Sequence, residues 1–253
     1  MFEPGESWTY GTGIDWAGKL VERLTKQTLE QYMKANIWDV VGAESITFWP
    51  EKNASIKERL CAITVRAAEG QSVVPYEGPS ISHGVTDCMG GQGGHASMPD
   101  YLRILHSLLK DDGKLMKPET LEQFFSPQLS KDSRKALDEL RTRPAEWQMM
   151  VGHFPPHIGL DWGLGGILTT EPDEVWRGKG TLLWSGVYNL TWVSAWFREE
   201  TFQVANVAFQ FVDRATGLCG CFGTQVLPPG DMAVEEVIVA WEKAMYEMAT
   251  AKS

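Results

Sequence analysis

The chain has 253 residues, 43% of them hydrophobic and 22% charged, a balance that excludes wholesale disorder, a collagen-like fibre and a disulfide-stapled miniprotein. Lys and Arg number 23 against 33 Asp and Glu, a formal charge of −10, so the chain lacks an electrostatic footprint for polyanions and no nucleic-acid partner is expected. Aromatic content stands out instead: 11 Trp, 10 Phe and 6 Tyr are rings that fill cores or line apolar pockets.

The chain opens Met1-Phe2-Glu3-Pro4 without a basic and then apolar leader, and no window approaches the ~20 apolar residues of a membrane span. A soluble, cytoplasmic protein with no membrane partner is expected. Over residues 14–36, Ile14, Ala17, Leu20, Val21, Leu24, Leu29, Tyr32 and Met33 recur at helical spacing, which predicts one amphipathic helix half buried along that stripe. Residues 37–57 hold Trp38, Phe48, Trp49 and Pro50 with little periodicity and read as a packed irregular connection. Alternation over 59–75 predicts a small hairpin around Glu69-Gly70. Residues 79–94 form a Gly-rich loop, after which Ser97 reads as the N-cap of a helix with Pro99 and Asp100 in its first turn and a stop at Asp112-Gly113. Further helices are predicted over 118–125 and 130–143.

After Ile158 the composition turns β-branched, aromatic and Gly-punctuated, predicting strands within 159–170, 181–185, 190–197 and 202–211. Residues 231–251 close the chain as an amphipathic helix. Helices first, strands second and a helix last predict an α+β arrangement around one core. One domain over 1–253 is expected, with 1–157 its mainly helical part and 158–253 a sheet plus C-terminal helix.

Chemistry-bearing residues are sparse. Cys61, Cys88, Cys219 and Cys221 include one close pair whose spacing fits neither a zinc knuckle nor a redox pair, so reduced thiols in or near the core are expected. Five histidines (His83, His95, His106, His153, His157) fall at no metal-ligand spacing. The run Gly90-Gly91-Gln92-Gly93-Gly94 lacks the lysine of a phosphate-binding loop and reads as backbone freedom at a tight crossing. Ser107-Leu108-Leu109-Lys110 has the Ser-x-x-Lys spacing, which stacks an amine one helical turn from a hydroxyl. It reads as the wet end of a helix beside Asp111 and Asp112, where Lys110 complements the helix dipole and nothing lowers its pKa.

Two segments carry more. Pro4-Gly5-Glu6-Ser7-Trp8-Thr9-Tyr10-Gly11-Thr12-Gly13-Ile14-Asp15-Trp16-Ala17-Gly18 resembles the tyrosine segment of the serine β-lactamase/penicillin-binding-protein superfamily, in its class C-like esterase and transesterase branch. Thr181-Leu182-Leu183-Trp184-Ser185-Gly186-Val187-Tyr188-Asn189 resembles that branch's Lys-Thr-Gly strand, with tryptophan in place of the lysine. Ile46-Thr47-Phe48-Trp49-Pro50, the Gly93-Gly94 loop running into Ser97 and Asp100-Tyr101, and Gly223-Thr224-Gln225-Val226-Leu227-Pro228 match in order and spacing. The resemblance runs over almost the whole chain and is strong toward fungal polyketide-pathway acyltransferases of the lovastatin type.

It implies a β-lactamase/transpeptidase-like fold, an antiparallel sheet flanked by helices, and acyl transfer or hydrolysis through an acyl-enzyme in secondary metabolism. In those terms Tyr10 relays a proton, Val187 N–H supplies half an oxyanion hole and Trp184, on an edge strand, walls the acyl pocket. Ser185, Gly186, Tyr188 and Asn189, with Trp192, line the same pocket. The implied partners are a small-molecule acyl donor and acceptor, a carrier-protein thioester being one form of donor. No metal or diffusible cofactor is implied. The family's Tyr-x-Asn is Tyr10-Gly11-Thr12 here, which favours esters or thioesters over lactams.

Two departures complete the reading. The family's nucleophilic Ser-x-x-Lys precedes the tyrosine segment, on a helix that follows two strands, so nucleophile, lysine and strands are expected to lie outside this chain. Residues 193–211 intervene where the family passes directly to an Asp-x-x-x-Gly turn; they read either as a translated intron or as a genuine strand insertion. The competing functional reading is a catalytically inactive remnant or small-molecule-binding module that keeps the aromatic pocket.

Overall fold

The N-terminal helical pattern breaks where a second cap competes with it. In the computed structural model, which describes residues 2–80, 83–143, 158–172, 176–186, 204–205 and 209–251, α1 (Gly13–Thr25) ends at Lys26, in the left-handed region at φ 60°. Thr28 then opens α2 (Leu29–Met33) with a capping box: its hydroxyl accepts from Gln31 N while the Gln31 side chain accepts from Thr28 N. The helix predicted over 14–36 is therefore two helices, continued by a π-helical turn (Lys34–Trp38) and α3 (Asp39–Val41). Its apolar stripe is buried unevenly: Leu29 is buried and Val21, Tyr32 and Met33 half-buried, whereas Ile14, Ala17, Leu20 and Leu24 are exposed and α1 packs through Gly18. The stretch read as irregular over 37–57 also holds β1 (Ile46–Thr47), a 3-10 turn (Pro50–Lys52) and α4 (Ala54–Lys57), whose N-cap is Asn53.

The predicted hairpin is β2 (Thr64–Val65) with β3 (Val74–Pro75), and Gly70 between them takes φ +74°. β4 (His95–Ser97) runs straight into α5 (Met98–Lys110), capped by the Ser97 hydroxyl accepting from Asp100 N. α6 (Pro118–Phe124) and α7 (Lys131–Leu140) follow, the latter capped by Ser130. The Gly-rich loop crosses α1 as its composition suggests. A Cβ on Gly90 would lie 2.3 Å from Ile14 O, and one on Gly18 would lie 3.3 Å from Gly90 Cα.

Beyond residue 158 the strands assemble. β5 (Leu160–Trp162), β6 (Ile167–Thr169), β7 (Leu182–Ser185), β9 (Phe209–Asp213) and β10 (Leu218–Phe222) form an antiparallel sheet in the order β10-β9-β7-β6-β5. Two small sheets tie the halves of the chain together: β8 (Val204–Ala205) pairs with β4, and β11 (Val226–Leu227) runs parallel to β2. The strand predicted over 190–197 lies outside the described residues. Of the segment 193–211, Phe209, Gln210 and Phe211 lie in β9.

Register decides which face meets which helix. Leu183, Phe211 and Gly220 are direct cross-strand partners and share one face. There the Phe211 ring lies 6.0 Å from Trp241 and 5.5 Å from Tyr246 of α8 (Met232–Thr250). Gly220 leaves room for both rings, since a Cβ would come within 2.7 Å of Phe211 and 2.9 Å of Trp241. The next pair, Trp184 with Gln210, faces the other way, and the Tyr101 hydroxyl of α5 donates to Gln210. The sheet is thus flanked by α5 and α8.

Polar groups fasten the layers. The fully buried Asp213 carboxylate accepts from Gly178 N (2.7 Å), Ala215 N (3.0 Å), Thr216 N (3.1 Å) and the Tyr246 hydroxyl (2.9 Å). Arg177 and Glu242, both buried, form a two-pronged ion pair at 2.7 and 2.6 Å that joins α8 to the approach to β7.

Candidate active site

Tyr10 lies between a turn at residues 4–6 and α1. Its segment is held from below by the start of α7, where the Ser130 hydroxyl donates to Gly5 O (2.6 Å) and the Ser133 hydroxyl to Ser7 O (2.9 Å). The anchoring leaves the Tyr10 ring 51% exposed. Among the described residues nothing hydrogen-bonds its hydroxyl, so the phenol is open to an incoming group.

Trp184 meets it. The two rings stack with centroids 5.9 Å apart and planes 22° from parallel. Trp184 is in turn edge-on to Trp162 at 4.9 Å, and Trp162 lies 5.2 Å from Trp8. Four rings from three distant segments, in the order Trp8, Trp162, Trp184, Tyr10, form one contiguous aromatic wall.

The wall is braced through Asp161. Fully buried, this carboxylate accepts from Gln128 N (3.0 Å), Leu129 N (3.1 Å) and Trp162 N (2.7 Å) and pairs with the Arg134 guanidinium. It fixes the end of β5 and with it the Trp162 ring.

β7 is the middle strand of the five-stranded sheet, not the edge strand expected for Trp184. Its pairing with β6 stops at Leu183 with Ile167, while Trp184 and Ser185 continue to pair with Gln210 and Phe209 of β9. Beyond Leu183 the end of β7 is therefore paired on one side only, with Gly166 close against Leu183 O and Trp184 on the other. Ser185 is half-buried and Gly186 exposed. Val187, Tyr188, Asn189 and Trp192 lie outside the described residues.

Sequence reasoning did not single out Trp8, Trp162 or Asp161. Trp8 stands two residues from Tyr10 and Trp162 is followed by Gly163, but only the tertiary fold brings them to Trp184. Ser107 is buried rather than at a wet helix end, and its hydroxyl donates to the Asp112 carboxylate at 2.7 Å. That bond and burial leave it unsuited to attack a substrate. All four thiols are free, and burial pushes Cys219 up to about 12. Among the described residues no three of His, Cys, Asp and Glu are placed to share a metal ion, and no helix is long and apolar enough to cross a membrane.

Residues 1–214 match the Beta-lactamase family. The chain belongs to that family. It is 32% identical over 91% of its length to a lovastatin esterase of Penicillium rubens, of which it covers 53%. It is 30% identical over 96% of its length to a monacolin J acid methylbutanoyltransferase of Aspergillus terreus, of which it covers 55%. Among solved structures, the LovD9 mutant of simvastatin synthase (LovD) of Aspergillus terreus superposes with a TM-score of 0.83 at 30% identity, covering 98% of this chain and 57% of that one. The chain thus spans a little over half the length of these relatives. The fold is the β-lactamase/transpeptidase-like α+β arrangement, an antiparallel sheet between helices.

Proposed function

We propose that this chain supplies the tyrosine and the aromatic strand of a serine acyltransferase or esterase site acting on an ester or thioester. The observation that carries the proposal is the stacking of Tyr10 on Trp184 at 5.9 Å, which joins the two family motifs at one place. In the proposed reaction a serine Oγ from a Ser-x-x-Lys segment outside these residues attacks the acyl carbon. Its proton passes through the Tyr10 oxygen to the departing alcohol or thiol. The resulting acyl-enzyme gives its acyl group to an acceptor hydroxyl, or to water, with the proton returning by the same oxygen. The backbone N–H groups of Val187 and of the serine hold the developing oxyanion. Trp184 walls the acyl group, beside Ser185, Gly186, Tyr188 and Asn189. The donor and acceptor are small molecules, a carrier-protein thioester being one form of donor.

A second reading draws support from Ser107. It is the one serine of this chain in a Ser-x-x-Lys, and its hydroxyl is bonded to Asp112. On that reading these residues bind an acyl compound without covalent chemistry.

A nitrophenyl ester separates the two. The chain alone is expected to show no burst, and joining it to a Ser-x-x-Lys segment, in one polypeptide or in trans, is expected to restore one. In that restored protein Tyr10→Phe lowers kcat by about 10²–10⁴-fold with KM little changed, as loss of a positioned proton relay does. Trp184→Ala mainly raises KM. Binding of the ester without any burst in the joined protein supports the non-catalytic reading and overturns the first.

A further inference from the structure

A cavity of about 410 Å³ opens on a part of the molecule distinct from the aromatic wall, and none of Trp8, Tyr10, Trp162 or Trp184 lines it. That volume falls within the range of small-molecule sites. Its body is apolar, formed by Phe48, Trp49, Leu60, Ile63, Val85 and Met89. The Gly-rich loop that makes one side is pinned to α1, where Gly91 N donates to Asp15 Oδ1 at 2.8 Å.

Three polar groups in it each have an atom that lacks a hydrogen-bond or ion-pair partner among the described residues. The first is Gln225, only 6% exposed, whose Oε1 is buried without a hydrogen-bond partner among the described residues. A buried amide left unpaired costs about 1–3 kcal/mol, which a bound hydrogen-bonding group would recover.

The second is His95. Its Nδ1 lies 2.9 Å from Gly93 O, and since a carbonyl only accepts, Nδ1 carries the proton. Burial lowers the pKa of the ring and keeps it neutral. Nε2 is then an acceptor with no partner among the described residues.

The third is Lys52. Of the two acidic side chains of the rim, Glu51 pairs with Lys57 (2.6 Å), and Asp87 with Lys19 (2.5 Å), which also pairs with Glu22 (2.8 Å). Lys52 has no carboxylate partner among the described residues; its ammonium lies 4.4 Å over the Trp49 ring. The mouth therefore presents a lysine with no carboxylate partner among the described residues, above an apolar body that holds the buried Gln225 Oε1 and the half-buried His95.

We propose that this cavity is a second, non-covalent ligand site for an amphipathic organic acid that also bears a hydroxyl. The carboxylate meets Lys52 at the mouth, the hydrocarbon lies against Phe48, Leu60, Ile63 and Met89, and the hydroxyl donates its one proton to His95 Nε2, beside the Gln225 amide. This assignment does not depend on the acyl-transfer reading, because it uses neither Tyr10 nor Trp184.

Isothermal titration with 10-hydroxydecanoate, decanoate, 1-decanol and decyltrimethylammonium tests it. The hydroxy acid is expected to bind about fivefold tighter than decanoate, as one neutral hydrogen bond predicts. Both acids are expected to bind about tenfold tighter than the alcohol, and the cation weakest. Lys52→Gln should remove the advantage of the acids over the alcohol, and added salt should shrink it. His95→Asn keeps a donor for Gly93 O but leaves no acceptor at the Nε2 position, so it should erase the preference for the hydroxy acid while leaving decanoate unchanged. Ile63→Trp, which fills the cavity, should abolish binding with the thermal midpoint retained. Because Lys52 is exposed, its variant folds whatever becomes of the others. The proposal is overturned if none of the four compounds binds up to its solubility limit, if acid, alcohol and cation bind alike, or if Lys52→Gln leaves the order intact.

Discussion

The hydroxyl of Tyr10 and the imidazole of His95 each present a polar atom with no partner among the described residues, yet their surroundings set them apart. Tyr10 is half exposed and stacked. His95 is half-buried, with Nδ1 committed to Gly93 O, and burial lowers its pKa from 6.5. The sign of the consequence follows from proton counting. Between the lowered folded value and 6.5 the unfolded chain binds more protons than the folded one, so stability rises with pH through that interval and is lost as pH falls. The thermal midpoint is expected to drop between pH 7 and pH 5, and His95→Asn should flatten that drop. An unchanged slope in the variant would assign the acid sensitivity elsewhere. Individual residues of this kind were only partly legible in the sequence. Ser97 reads as a cap in the sequence because the cap bond is local, its hydroxyl accepting from an N–H three residues on; Ser130 and Asp231, read only as helix starts, cap α7 and α8 in the same way. His95 and Gln225 could not be read, because being unpaired is a property of the assembled cavity.

Elements show where periodicity stops informing. The spacing of Ile14, Leu20 and Leu24 correctly places them on α1, but their face is exposed, and the helix is held by Gly18 against Gly90. Periodicity reports which residues share a face, not what meets it. The same limit explains β10, whose Cys219-Gly220-Cys221 core carries no strand signature. Its glycine is required by the rings of Phe211 and Trp241, which lie far from it in sequence. Gly220→Ala is expected to lose about 1–3 kcal/mol through overpacking at that crossing, measured by urea unfolding. A loss below a few tenths would mean that α8 can move away from the sheet at little cost.

For the whole molecule, the α+β class and the order of helices and strands were readable because helical and alternating stretches occupy separate parts of the chain. How the two parts are joined was not. β11 runs beside β2, and Arg177 meets Glu242 across the sheet face, and no local pattern encodes either contact. Removing Arg177 leaves the fully buried Glu242 carboxylate without its counterpart, so Arg177→Ala should cost about 3–5 kcal/mol. Replacing both residues by apolar ones of similar volume should cost less than the single change. If instead the double variant is the less stable, the pair itself is a net source of stability.

The aromatic wall has a further consequence, in how the molecule interacts with light. Indoles whose centres lie 4.9 and 5.2 Å apart share their excited states, and a tyrosine 5.9 Å from one of them hands over its excitation before it can emit. Trp8, Trp162, Trp184 and Tyr10 therefore absorb as a coupled set with its own circular-dichroism couplet. A group that slides between Tyr10 and Trp184 changes the distance and orientation of those two rings, so its binding is expected to alter the near-ultraviolet circular dichroism of the wall.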